Sequence, residues 1–164
     1  MDAYQAIISK RDRREFDARP IADETLQRIL QAGRMAGSSS NTQPCRLVVL
    51  TDREQIEKLS AAGRGGGTLK AAPLGVIVLL QKGARDFDTG RLAQNMMVAA
   101  WAEGVISCPV GFQDEALCRQ VLGYPEDFAT SIGVAFGYPV PAGLPGRESR
   151  KRLPLEEMVH TNHW

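Results

Sequence analysis

The sequence predicts an α+β domain, and three observations carry that prediction. Helical periodicity and strand-like apolar runs both recur along 164 residues, a length that suits one domain burying roughly two-thirds of its unfolded surface. The run "PLGVIVLL" (73–80) is continuously apolar rather than alternating, which suits a central strand covered on both faces. The segment "DTGRLAQNMMVAAWAEG" (88–104) is apolar around much of its circumference and ends at a glycine suited to a C-cap. It should form a helix that is deeply buried or lies at an interface.

In chain order, Asp2 can cap a first helix whose Tyr4, Ile7 and Ile8 share a face, and which runs into the cationic cluster "KRDRR" (10–14). Asp23 reads as the N-cap of a second helix, with Glu24 in its first turn and Leu26, Ile29, Leu30 and Gly33 at helical spacing. A strand "RLVVLT" (46–51) follows, and Asp52 caps a short helix with Ile56 and Leu59 inward. The stretch "GRGGG" (63–67) is too glycine-rich for either element and reads as a flexible loop. Beyond 88–104 come a short "VISCPVGF", a helix capped by Asp114 and closed by Gly123, and a strand "TSIGVAFGY" (130–138). From Pro139 the chain carries Pro141, Pro145 and Pro154 with few periodic apolar positions, so this tail should be extended and could reach another subunit. The two "GYP" tripeptides have unmatched flanks, so no internal repeat is indicated.

Composition narrows the function classes. The residues are 43% hydrophobic and 24% charged, an ordinary globular balance. No run is long enough to span a bilayer and no signal-peptide pattern opens the chain, so the expected location is cytoplasmic, without membrane association. Cys45, Cys108 and Cys118 lack paired spacing and should be reduced thiols. A net charge of +1 gives no general field for nucleic acid, and few aromatics interleave with the basic clusters. Glu157, His160 and His163 have metal-like spacing but lie in the proline-flanked tail without an evident further ligand, so no metal is expected. Nucleophile-elbow, zincin, P-loop and Rossmann motifs are all missing, and "GRGGG" is followed by "TLKAAP" rather than by a long helix.

Three polar groups remain: "KRDRR" (10–14), "SSSNTQP" (38–44) and "RKR" (150–152). Singly, each reads as a solvated charge run or as turn chemistry. Together they match the two ends of flavin mononucleotide: a phosphate that suits guanidinium forks, and a ribityl chain and ring edge that suit hydroxyl and amide partners.

The same residues resemble the nitroreductase family of FMN-dependent oxidoreductases. "IISKRDRREFDARPI" followed by "ILQAGRMAGSSSNTQPCRLVVLTD" agrees in order and spacing with that family's RRSxRxF and A-P-S-x-x-N-x-Q-P-W patterns. "DTGRLAQNMMVAAWAEGVIS" looks like its buried helix, "CPVGF" like its flavin-backing turn and "RKRLPLEEMVH" like its C-terminal basic segment, so the resemblance covers nearly the whole chain. It implies a single nitroreductase-like FMN-binding domain over 1–164, with a central, mainly antiparallel sheet flanked by helices and a C-terminal extended arm. It also implies a homodimer with shared flavin sites.

Carried over by residue, the resemblance implies that Lys10, Arg11 and Arg14, with Arg150 and Arg152 from the tail, approach the phosphate. Ser38, Ser39, Asn41 and Gln43 would reach flavin across the interface. Pro109, Val110 and Gly111 would line the ring with backbone amides near its redox edge. Gln94 and Asn95 resemble a motif on the central helix, where Asn95 could alternatively satisfy buried backbone. Asp12 departs from the family's phosphate-binding serine and would repel a phosphate unless it pairs with Arg11 or Arg14. Gly37 stands for the usual proline and Cys45 for the usual aromatic, implying a looser loop and a smaller pocket wall.

The implied activity is hydride transfer from NADH or NADPH through FMN to a nitroaromatic, quinone or similar small acceptor, with no catalytic side chain required. The alternatives are a specialised flavin reaction (dehalogenation, dehydrogenation or flavin fragmentation) or a non-catalytic flavin-binding protein.

Overall fold

The computed structural model describes residues 1–140 and 152–164. Its frame is a four-stranded sheet in the order β1-β2-β4-β3, where β1 is Cys45–Leu50, β2 Leu74–Gln81, β3 Ile106–Val110 and β4 Phe128–Gly137. All three strand pairings are antiparallel. The helices are α1 (Ala3–Ser9), α2 (Asp23–Arg34), α3 (Arg53–Ser60), α4 (Gly66–Ala71), α5 (Asp86–Ala102), α6 (Glu115–Leu122) and the one-turn α7 (Leu155–Met158).

Residues Leu74 to Leu80 of β2 are all buried, as expected of a strand in the middle of the sheet. Its side chains still alternate between two cores. Leu74, Val76 and Val78 face the layer built from Ile29 of α2 and Leu92, Met96 and Ala100 of α5. Ile77 and Leu79 face the other layer, built from Ile56 and Leu59 of α3, Leu69 of α4 and Cys118 of α6. A period-two strand with both faces apolar is what places a helical layer on each side.

Helix α5 has seven buried residues and one open stripe, formed by Phe87, Gly90, Arg91, Gln94 and Asn95. Asn95 donates from Nδ2 to the Ala32 carbonyl of α2 at 3.3 Å, so it does serve main chain. Gly104 ends the helix with φ 76° and Gly123 ends α6 with φ 69°, left-handed positions where a side chain would be strained.

Two expectations about local structure are corrected. Asp23 lies inside α2; the N-cap is Ala22, which makes no side-chain bond, and Asp23 and Glu24 instead place charge in the first turn. "GRGGG" is not a free loop: Gly66 and Gly67 start α4. A Cβ on Gly66 would sit 1.7 Å from the Ser60 carbonyl oxygen, so glycine is required for α4 to turn back against the end of α3.

In the described part of the tail, every residue from Arg152 to Trp164 is exposed, including Leu153, Leu155, Met158 and Val159. Among the described residues, no helix is long and apolar enough to cross a membrane.

Candidate cofactor site

The basic segment 10–14 runs beside β3, beyond the edge of the sheet. Asp12 forms an isolated parallel bridge with Ser107, and the Arg13 amide donates to the Ser107 carbonyl at 3.0 Å. Within the segment, Lys10 turns inward. Its side chain is only 9% exposed, and its ammonium meets the Asp12 carboxylate and, at 3.4 Å, the Met97 sulfur on α5. Asp12 therefore pairs with Lys10, not with Arg11 or Arg14 as its position would have required.

Arg11 donates from one terminal nitrogen to the carbonyls of Ile8 and Lys10, at 2.8 and 2.9 Å, which fixes the fork without cancelling its charge. Arg14 lies against the buried Cys108 thiol, where it opposes the dominant effect of burial, which pushes the thiol pKa up. Neither Arg11 nor Arg14 forms an ion pair among the described residues, and both are exposed. The segment therefore presents guanidinium charge outward while its one carboxylate is held by Lys10.

Pro109 and Val110 close β3, and Gly111 follows. Gly63 and Gly65 buttress this turn from behind: a Cβ at Gly63 would sit 2.3 Å from the Gly111 oxygen, and one at Gly65 would lie 3.1 Å from Val110 Cγ1. The Gln113 side chain ties the two stretches together by accepting from the Arg64 amide at 2.8 Å. Sequence reading missed this buttress, although the density of glycine at 63–67 was its signal.

The loop before β1 is conformationally costly. Ser39–Asn41 form a 3₁₀ turn, and Ser40, Asn41 and Gln43 all have positive φ, at 49°, 55° and 50°. Hydrogen bonds hold it: the Gln43 amide donates to Ser38 Oγ at 2.9 Å, and Arg46 donates to the Gln43 and Cys45 carbonyls at 2.9 and 2.8 Å. Ser38 thus accepts inside the loop and keeps its hydroxyl proton to donate, whereas Ser39, Asn41 and Gln43 are exposed.

These groups are not together within one chain. The basic segment borders β3 at the level of Ser107, which lies opposite Phe136 and, through it, Leu74; the loop enters β1 at the level of Gln81, whose amide donates to Pro44. With strands about 4.8 Å apart and a rise of about 3.3 Å per residue, the separation is about 20 Å across the sheet and about 20 Å along it. They occupy diagonally opposite corners. Lys10, Arg11, Arg14, Pro109, Val110 and Gly111 form one group, and Ser38, Ser39, Asn41 and Gln43 another. Arg152 is exposed in the tail, and Arg150 lies outside the described residues.

The thiols are not poised for nucleophilic chemistry. Burial is the largest influence on Cys45, Cys108 and Cys118 and raises all three; Asp88 raises Cys45 further and Arg46 opposes it. Among the described residues, no group of three His, Cys, Asp or Glu side chains could hold a metal.

The chain thus has a helix-flanked antiparallel sheet with exposed guanidinium groups at one corner and a loop of positive-φ polar residues at the other. Comparison with known proteins supplies the class. The model of the nitroreductase family matches residues 7–86 and 81–138, and the chain belongs to that family. An NADPH-flavin oxidoreductase of Vibrio harveyi is 32% identical, over 99% of this chain and 75% of that relative. An NADH dehydrogenase of Thermus thermophilus is 28% identical, over 97% of this chain and 95% of that relative. Among solved structures, nitroreductase A of Vibrio parahaemolyticus superposes with TM-score 0.89 and 26% identity, covering all of this chain and 77% of that one. The NADPH:FMN oxidoreductase of Vibrio harveyi, solved with NAD+, superposes with TM-score 0.88 and 27% identity, over 99% and 77%.

Proposed function

We propose that this chain is a flavin-dependent NAD(P)H oxidoreductase, a cytoplasmic homodimer of single-domain subunits that reduces a quinone, nitroaromatic or similar small acceptor. The observation that carries the reading is the diagonal separation of the two polar groups. A phosphate held by Arg11 and Arg14 at the β3 corner lies too far from Asn41 and Gln43 of the same chain for one FMN to touch both. A second subunit that brings its 38–43 loop to the first subunit's basic corner resolves the distance. The exposed apolar residues Tyr4, Ile7 and Ile8 of α1 and Leu155 and Met158 of the tail supply surface for that pairing.

The donor set fits FMN. Arg11, Arg14 and Arg152, with Arg150, would fork the phosphate, Lys10 would hold Asp12 clear of it, and the main chain at Pro109, Val110 and Gly111 would back the ring. Ser38, Ser39, Asn41 and Gln43 of the second subunit would take the ribityl chain and ring edge. FMN bound there supplies the electron relay between nicotinamide and acceptor. The chain supplies orientation and charge; no side-chain acid or base is assigned. With a quinone the balance is NAD(P)H plus H⁺ plus quinone giving NAD(P)⁺ plus hydroquinone.

The test is the visible spectrum of the purified protein, the cofactor released by heat, and steady-state oxidation of NADH and NADPH with menadione. Yellow protein, released FMN and flavin-dependent turnover are expected. Colourless protein that fails to bind added FMN would refute the reading, and FMN binding without turnover would reduce it to a flavin-holding protein.

A further inference from the structure

Next to the 38–43 loop lies a groove of about 540 Å³, lined by Met35 and Gly37 on one side and by Phe87, Arg91 and Gln94 of the open α5 stripe on the other. That volume is within the range of small-molecule sites. Its two most distinctive walls are an aromatic ring and a guanidinium. Phe87 is 71% exposed, and the Arg91 guanidinium carbon lies 5.6 Å from its ring centroid. Such contact orients the cation over the ring face and leaves its donors outward. Among the described residues Arg91 forms no ion pair.

Gly37 makes the arrangement possible. A Cβ at position 37 would sit 2.6 Å from one terminal nitrogen of Arg91 and 3.3 Å from the guanidinium carbon, so any side chain there would displace the cation. Gly37 also immediately precedes Ser38, so a ligand in the groove abuts the loop assigned to the flavin.

We propose that Arg91, seated against Gly37 and Phe87, is a specificity-determining residue that selects acceptors carrying an anionic group on an aromatic ring. The ring would pack edge-on against Phe87, whose face Arg91 covers, and its carboxylate would take outward donors of the guanidinium. This rests on the oxidoreductase reading for the turnover, but not for the binding.

The experiment compares 4-nitrobenzoate with its neutral isostere 4-nitrobenzamide. Each is reduced at the nitro group: one hydride from NAD(P)H and one proton convert it to the nitroso compound and water. In Arg91→Gln, the ratio of kcat/KM for the benzoate over the benzamide should fall about tenfold, as expected for loss of an exposed charge-assisted contact. Arg91→Lys should retain part of the preference. Gly37→Ala should lower the ratio as well, although it removes no charge. The dissociation constant of 4-nitrobenzoate, measured by calorimetry on the oxidised protein without nicotinamide, should rise about tenfold in Arg91→Gln. Ratios and dissociation constants within twofold of the parent in both Arg91→Gln and Gly37→Ala would overturn the proposal. If the parent binds 4-nitrobenzoate through Arg91 yet reduces neither of these acceptors nor menadione, the groove assignment stands and the oxidoreductase reading falls.

Discussion

Lys10 and Asp12 form an ion pair that is covered on one side only: the lysine side chain is 9% exposed and the aspartate 50%. The two ends should therefore respond unequally to mutation. Asp12→Asn leaves a nearly buried ammonium facing a neutral amide and the Met97 sulfur, and should cost about 1 to 2 kcal/mol. Lys10→Met removes the buried charge and leaves a carboxylate that water can reach, so its cost should be smaller, under about 1 kcal/mol. Urea unfolding of the two variants checks the order; equal costs would mean that the pair is no more covered than an ordinary surface bridge.

Gly66 and Gly67 are neighbours in α4 with opposite surroundings. A Cβ at Gly66 would meet the Ser60 carbonyl oxygen at 1.7 Å, whereas one at Gly67 would meet nothing within 4 Å. Gly66→Ala should destabilise by about 2 to 4 kcal/mol, because α4 must part from the end of α3. Gly67→Ala should be neutral or stabilising by up to about 1 kcal/mol through helix propensity. Thermal unfolding reads both.

The Tyr124 hydroxyl is 2.8 Å from both Glu115 and Thr130, in a residue only 7% exposed. Burial, reinforced by Glu115 and opposed by Thr130, pushes its pKa up from 10.0 to about 12. Once the pH exceeds the unfolded value, the unfolded chain gives up this proton while the folded chain keeps it. Stability should therefore fall from about pH 10 towards about pH 12. Tyr124→Phe should lose about 1 kcal/mol at neutral pH and show a shallower decline in that window. Chemical unfolding at a series of pH values follows it, and parallel pH profiles would remove Tyr124 from the account.

The shared site makes a prediction that a self-contained site cannot. Arg11→Ala and Arg152→Ala should each weaken FMN binding by roughly one to two decades, against little change for the remote Lys58→Ala. Asn41→Ala should lose flavin without unfolding. Mixed after subunit exchange with Arg11→Ala, it should regain some high-affinity sites, because a heterodimer carries both lesions at one site and neither at the other. FMN titration of the mixture measures this; no recovered site, or a monomer by sedimentation, would refute sharing.

Much of the architecture was legible in the linear chain because it is set by local chemistry. Gly123 is the left-handed residue that closes α6, and Asp2, Asp52 and Asp114 accept from amides three residues on, as capping requires. The unbroken run in β2 could lie only inside the sheet. The clusters 10–14 and 38–44 suggested FMN as a ligand, since guanidinium, hydroxyl and amide groups suit a phosphate and a polar ring edge.

What the sequence determined, then, was most of the elements and a candidate ligand chemistry, though not α4, because caps, periodicity and donor type are properties of neighbouring residues. Only the tertiary structure decided where those groups stand. Strand order β1-β2-β4-β3 sends the loop and the basic segment to opposite corners, and no local pattern encodes that order. The fold also turned Lys10 onto Asp12 and Met97, set Gly63 and Gly65 behind the Val110–Gly111 turn, and brought Arg91 over Gly37. Each is a contact between residues brought together by packing, where excluded volume and charge, rather than sequence proximity, fix the partner.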